Sequence, residues 1–409
     1  MSNNTAIAPA YILFFLFALS QSTESIFTTG LPQISEEFAI SPGLAQLCST
    51  VYFFGFATGI LTLGRISDYI GRKPVIIFGL MLFLFTSIIS FFADNIYNLL
   101  LLRFVQAFGA SIGSVIAQAV ARDSYKGLAL SKLYASLAAG IAIMPALGSV
   151  IGGNIVEYFS WRYNFIYLFI LIFIVLLLCF FKLPETNRNI GKSDTNKFWA
   201  IFKYMLSDRS VLCYGGIIGA FNGIMYSFYI EAPFIFITKL NIHPSNYGYL
   251  ILMLSISGII GSAISRWMQH KNIDGQIIIR GGIVLSVASC ASFSALAFLW
   301  AYKIMGEDLA KKIIILPMLT QAMSFSIVMP VILRFSLENY SKVNGTAGSI
   351  FGFYYYIIVA TINFITTQIH DETVTKFSIF CVIISLLSYK LCHIAKNSEN
   401  DSSDRYKEH

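Results

Sequence analysis

The chain has 409 residues, 56% of them hydrophobic and only 12% charged, where a soluble domain is about a quarter charged. So few charges cannot cover a water-facing surface, which excludes a large soluble α protein. The net charge of +7 is scattered between apolar runs rather than gathered on one face, which excludes a nucleic-acid partner.

A lipid-covered chain needs spans of about 20 apolar residues. In chain order there are twelve: 8–30, 44–64, 74–93, 97–120, 132–156, 162–182, 210–238, 246–266, 276–302, 312–334, 345–369 and 374–394. The first lacks a basic leader and a cleavage site, so it reads as a retained helix. The predicted fold is an all-α polytopic membrane protein with twelve transmembrane helices in two six-helix bundles. The predicted units are 1–182, a polar linker 183–209, 210–394 and a polar tail 395–409. With both termini in the cytoplasm, inner loops and tail hold 21 Lys and Arg and outer loops hold six, a bias that sets the orientation.

The two halves repeat. Phe38-Ala39-Ile40-Ser41-Pro42 leads into the second span, and Leu240-Asn241-Ile242-His243-Pro244 leads into the eighth, 202 residues later. Parallel repeats of this kind place a substrate site between the halves, near the bilayer midplane. The six cysteines lie in apolar segments without paired spacing and read as packing residues. No metal or cofactor is expected: the histidines lack zinc-binding spacing, and no G-x-x-x-x-G-K-[ST] loop is present.

Several polar residues stand out against this background. Glu24 falls inside the first span, where a carboxylate can exist neutral, as a proton carrier must; the other reading is a charge near the outer mouth. Gly64-Arg65-Ile66-Ser67-Asp68-Tyr69-Ile70-Gly71-Arg72-Lys73-Pro74 reads as a short charged loop between spans two and three. Gly64 permits close helix approach, Gly71 a turn, and Pro74 the start of a helix. Asp68 can pair with Arg65 or Arg72, or sit at a neighbouring helix N-terminus. The other reading of this stretch is a solvated positive-inside loop. Arg103 lies within span four, where a charge marks a functional site unless backbone carbonyls satisfy it, and Gln106 shares its face. In span five, Pro145 supplies a bend, and Gly148, Gly152 and Gly153 a surface for close helix contact. Glu231, two before Pro233, is either a cavity acid or an interfacial carboxylate reaching water. Tyr355, with Tyr354 and Tyr356, can line a cavity that stacks flat or cationic ligands.

The Gly64–Pro74 stretch resembles the signature loop of the major facilitator superfamily. Leu102-Arg103-Phe104-Val105-Gln106-Ala107-Phe108-Gly109-Ala110 resembles that family's Arg-x-x-Gln-x-x-Gly stretch of helix four. Gly148-Ser149-Val150-Ile151-Gly152-Gly153 with Ser160-Trp161-Arg162 resembles the antiporter motif of helix five and the opening of helix six. Leu183-Pro184-Glu185-Thr186 is similar to the Pro-Glu-Thr that follows helix six. Together these match the drug:proton antiporters, the bicyclomycin-resistance type above all. The resemblance implies that Arg103 helps couple proton movement to substrate. The residues themselves make Glu24 the candidate proton carrier beside it, Gly64, Arg65, Asp68, Gly71, Arg72 and Lys73 a candidate gate, and Gln106, Glu231 and Tyr355 candidates to touch a substrate cavity. Two departures stand: the family's helix-one acid registers at Ser25, one place after Glu24, and Ser149 replaces a family proline.

The expectation is therefore a monomeric secondary transporter of the bacterial inner membrane. It would use the proton gradient to export drug-like or small amphipathic molecules. A nutrient symporter and a dedicated metabolite or siderophore exporter are the alternatives within transport. A membrane enzyme or receptor is the alternative outside it, and the dispersed acids argue against an enzyme.

Overall fold

The computed structural model of the chain describes residues 7–187, 190–191, 195–338, 340, 344–371 and 373–407. Among the described residues the ordered structure is helical. The first half holds α1 (Ala10–Thr28), α2 (Leu31–Glu37), α3 (Pro42–Ile70), α4 (Arg72–Phe91), α5 (Ile96–Ala110), α6 (Ile112–Ser124), α7 (Gly127–Tyr158) and α8 (Arg162–Lys182). The second holds α9 (Thr195–Met205), α10 (Arg209–Pro233), a π-helical turn (Phe234–Lys239), α11 (Pro244–His270), α12 (Gly275–Ala301), α13 (Glu307–Ile313), α14 (Leu316–Leu337), α15 (Asn344–Ile369) and α16 (Thr375–Lys407).

Eleven stretches of the described residues are long and apolar enough to cross a membrane, and α7 takes the place of the fifth predicted span. We call the face that carries the α3–α4 turn inner and the opposite face outer, following the charge bias. Helices α8, α12 and α16 leave most of their surface uncovered and apolar, with Phe173, Phe180, Val284 and Leu386 exposed, as lipid contact requires. Helices α1, α3 and α10 are mostly covered by protein and form the centre.

The repeat is visible in the backbone. Ala39 and Asn241 both hold positive φ, 51° and 52°, and each precedes a helix opened by proline, Pro42 or Pro244. Side chains cap several helix starts: Ser41 accepts from Leu44 N, Asn95 from Asn98 N and Asp208 from Ser210 N.

Five predicted features change. The charged stretch after Gly64 is helix rather than loop: α3 runs on to Ile70, and the turn is Gly71 alone, at φ 110°, before α4 starts at Arg72. The fourth span breaks at Ser111, and the tenth bends at Ile314 and Ile315. The linker contains α9, which packs Phe198 and Met205 into the core of the second half. The tail continues α16 as far as Lys407. After Pro233, which cannot donate a backbone hydrogen bond, the chain widens into the π-helical turn.

Candidate functional site

The centre of the first half is built around Arg103. Its guanidinium is fully buried and pairs with the Glu24 carboxylate, and the two are brought together by α5 and α1. Nη1 donates to Gln106 Oε1 at 2.5 Å, Gln106 Nε2 donates to Ser87 Oγ at 2.8 Å, and Ser87 Oγ donates to the Phe83 carbonyl at 2.8 Å. Each donor in this series needs the next acceptor, so the Gln106 amide has one orientation. The faces of the guanidinium lie against the rings of Phe27 at 3.9 Å and Tyr52 at 4.3 Å. Buried ions cost several kcal/mol each unless paired and hydrogen-bonded. Here the carboxylate, the amide and two aromatic faces offset that cost.

The satisfaction is incomplete. Glu24 Oε1 and Arg103 Nε have no hydrogen-bond partner, nor do the buried hydroxyls of Ser49 and Tyr52. Ser49 lies beside the Glu24 carboxyl. The hydroxyl can donate to this oxygen when Glu24 is ionised and accept from it when Glu24 is protonated, so the contact accommodates both states of the carboxyl.

Register along α1 decides which residue does this. Glu24 points at Arg103, while Ser25 packs on α7 near Gly148. The acid one place earlier is thus the one at the arginine. Gln106 is fully buried within the network rather than lining a cavity.

Between the halves, at the centre, aromatic rings meet. Phe53 of α3 meets Tyr226 of α10 at 4.5 Å, and Phe56 meets Tyr356 of α15 at 4.8 Å. Tyr355 stacks beside Tyr356 at 4.5 Å, whereas Tyr354 turns into its own half and donates to the Leu212 carbonyl. Glycines set the second contact between the halves. Gly148 and Gly152 bring α7 onto α1, and Gly153 brings it onto α11 at Pro244. In return, a Cβ at Gly248 of α11 would fall 2.7 Å from Val150 Cα and from the Ser149 carbonyl. Pro145 lies inside α7, one turn before these contacts.

At the inner face Arg72 pairs with Asp68 at 2.5 Å and also donates to Ser67 Oγ at 2.6 Å and Asp123 Oδ2 at 3.3 Å. The acid at the N-terminus of α4 is Glu185, which accepts from the backbone N–H groups of Arg72 and Lys73, both at 3.0 Å. A side chain at Gly71 would strike that carboxylate. Arg65 stacks on Phe198 of α9 at 4.5 Å. At the outer face Glu37 binds Trp161 Nε1 and Arg162 Nη2, both at 2.6 Å. Partial burial pushes its carboxyl up, but these bonds and the Arg162 charge outweigh it and hold the group below the usual range.

Glu231 is buried, not interfacial. His370 Nδ1 lies 2.9 and 3.0 Å from its two oxygens, and Gln46 Nε2 lies 3.2 Å from the same nitrogen. Reading the sequence missed His370, Gln46, Ser49, Ser87 and Glu157, the last of which accepts from the Ser245 N–H of the other half at 2.8 Å. The only trace of His370 there is that it follows span eleven, 139 residues after Glu231.

The match to known proteins agrees with this geometry. Residues 13–362 match the model of the Major Facilitator Superfamily. An "Uncharacterized transporter" of Rickettsia bellii is 46% identical over 93% of this chain and 94% of its own. A "Bicyclomycin resistance protein homolog" of Haemophilus influenzae is 24% identical over 87% and 89%. The crystal structure of a D-xylose-proton symporter superposes with a TM-score of 0.75 at 13% identity, over 93% of this chain and 97% of that one, and so shares the fold. With a family match over most of its length, a membrane-helix fold shared with transporters and a buried ion pair at its centre, the chain belongs to the major facilitator superfamily.

Proposed function

We propose that the protein exports small amphipathic or drug-like molecules across the bacterial cytoplasmic membrane in exchange for protons. It works as a monomer with both termini inside, alternates its access between the two faces, and takes the proton gradient as its energy source. The observation that carries this reading is the Glu24–Arg103 pair with its unpartnered carboxylate oxygen.

A proton from outside binds Glu24 Oε1, and the neutral carboxyl donates to Ser49. Neutralising one partner removes an attraction of about 4 kcal/mol at a separation of about 4 Å and an effective dielectric constant of about 20. That is of the order of the roughly 5.5 kcal/mol that inverts a two-state equilibrium from 1:99 to 99:1. Arg103 stays braced by Gln106, so the change falls on α1. The proton leaves inside, the ion pair re-forms, and substrate enters against Phe53, Phe56, Tyr226, Tyr355 and Tyr356. The rings of these residues stack flat or cationic molecules. The bicyclomycin-type relative supports export.

In proteoliposomes, Glu24→Gln is expected to abolish substrate movement driven by a pH gradient while leaving downhill exchange. Gradient-driven transport at the wild-type rate overturns the assignment. Ser149, in place of the antiporter proline, favours a second reading, proton symport for uptake. Substrate added on the cytoplasmic side leaves together with protons and alkalinises that side if the protein is a symporter running in reverse, and leaves in exchange for protons and acidifies it if the protein is an antiporter, so the sign of the pH change there separates the two.

A further inference from the structure

The outer face holds a second titratable pair, Glu231 on α10 and His370 just past α15. Both Glu231 oxygens face one nitrogen, His370 Nδ1, and the carboxylate side chain is only 4% exposed. Two acceptors do not lie 2.9 Å apart without a hydrogen between them, so Nδ1 carries its hydrogen here and donates to Glu231, whether the ring is neutral or charged. Gln46 adds a second requirement. Its amide nitrogen lies beside the same Nδ1, and its Oε1 has no partner. A protonated Nδ1 cannot accept from an amide. Turning the amide over gives the imidazole proton a second acceptor and gives Oε1 its partner. An Nδ1–H therefore satisfies Glu231, His370 and Gln46 together, and a second proton on the ring strengthens both bonds by making their donor a cation.

Gln46 belongs to α3 of the first half, whereas Glu231 and His370 belong to the second. The contact lies beside a close approach of α3 and α15, where Gly43 meets the Thr367 backbone. Among the described residues, the groups packed around the pair are these. The Phe234 ring packs edge-on against His370 at 5.5 Å, and Cys381 of α16 is the titratable neighbour of Glu231 from that helix. Lys239 of the π-helical turn donates to the Asp371 carbonyl at 3.0 Å. Asp371 itself binds Thr373. On α2, Glu37 is held by Arg162 and Trp161, and Glu36 is exposed. On α3 the group that faces the pair is Gln46.

We propose that Glu231 and His370 form a second proton-binding site, and that its proton locks the outer mouth shut by tying Gln46 of the first half to the second half. A proton arriving from outside then closes the mouth behind itself. This rests on the reading of the protein as proton-coupled, but it serves export and uptake alike.

The test uses full-length protein in lipid nanodiscs with the six buried native cysteines replaced. Spin labels go on Glu36→Cys and Lys376→Cys, two exposed positions at outer ends of opposite halves. Pulsed electron resonance reads the distance between them from about pH 5 to pH 8, the window in which histidine titrates. The wild type is expected to show a short distance in acid. A longer one should grow as pH rises, by up to about tenfold in population ratio per pH unit, the limit for one proton. His370→Asn and Glu231→Gln are expected to abolish this pH response. Gln46→Leu, which leaves the pair intact, is expected to lengthen the distance even in acid. A wild-type pH response surviving in His370→Asn overturns the proposal, and so does a Gln46→Leu protein that closes as the wild type does. Glu24→Gln is expected to lose gradient-driven transport and keep the pH-dependent closure. If it instead transports normally while His370→Asn abolishes closure, the coupling assignment fails and the latch stands.

Discussion

Replacing Arg103 by methionine leaves the Glu24 carboxylate buried without its cation. Removing one member of a buried ion pair costs about 3–5 kcal/mol, whereas removing both with groups of similar volume is far milder. Arg103→Met is therefore expected to lower the thermal unfolding temperature in detergent. The double variant Glu24→Gln with Arg103→Met should recover most of that loss. A single variant as stable as the wild type would show that the pair is hydrated rather than buried. Both residues were legible in the sequence, because a lone charge in an apolar helix has few explanations. Their partners were not. Ser87 and Ser49 are ordinary hydroxyls among many, and only folding puts them beside the amide and the carboxyl. His370 failed to stand out for a different reason. It follows the last apolar residue of a span, where a polar residue is unremarkable, and its acid lies 139 positions away.

Among the elements, α7 and α11 show how small residues set a close contact between the halves. Gly248 leaves no room for a side chain against the Ser149 and Val150 backbone, and Gly153 none against Pro244. Backbone cannot rotate aside as a side chain does, so the two helices must part if either position is filled. Gly248→Leu is expected to lock the outer ends of these helices apart, so that the Glu36–Lys376 distance stays long even at about pH 5, within the histidine window. A short distance in that variant would place the hinge elsewhere. The glycines were visible in the sequence as a surface for contact, but not that they serve two helices at once: Gly148 and Gly152 face α1, and Gly153 faces α11. The charged stretch after Gly64 was misjudged as loop because its polar residues outweighed its helical periodicity. Helix α3 tolerates them since Arg72, Asp68, Ser67 and Asp123 satisfy one another at the inner face. The anion at the start of α4 came from Glu185, across the bundle, and no local pattern pointed there.

For the whole molecule, span count and repeat were read directly, because lipid enforces apolar length and the two halves share their turn chemistry at Ala39 and Asn241. Orientation rests on the 21 inner and six outer cations. Alkaline phosphatase fused after Ala395 is expected to be inactive, and the same enzyme inserted at the exposed Gly306 turn active; the reverse pattern would invert the topology. The series from Arg103 through Gln106 and Ser87 to the Phe83 carbonyl has one more consequence. An amide does not pass protons along as hydroxyls and waters do, and a backbone carbonyl ends the series. On that side the charged centre is therefore insulated. If Glu24 carries the proton as proposed, this series offers it no conducting route, and on that side the carrier is kept from becoming a leak.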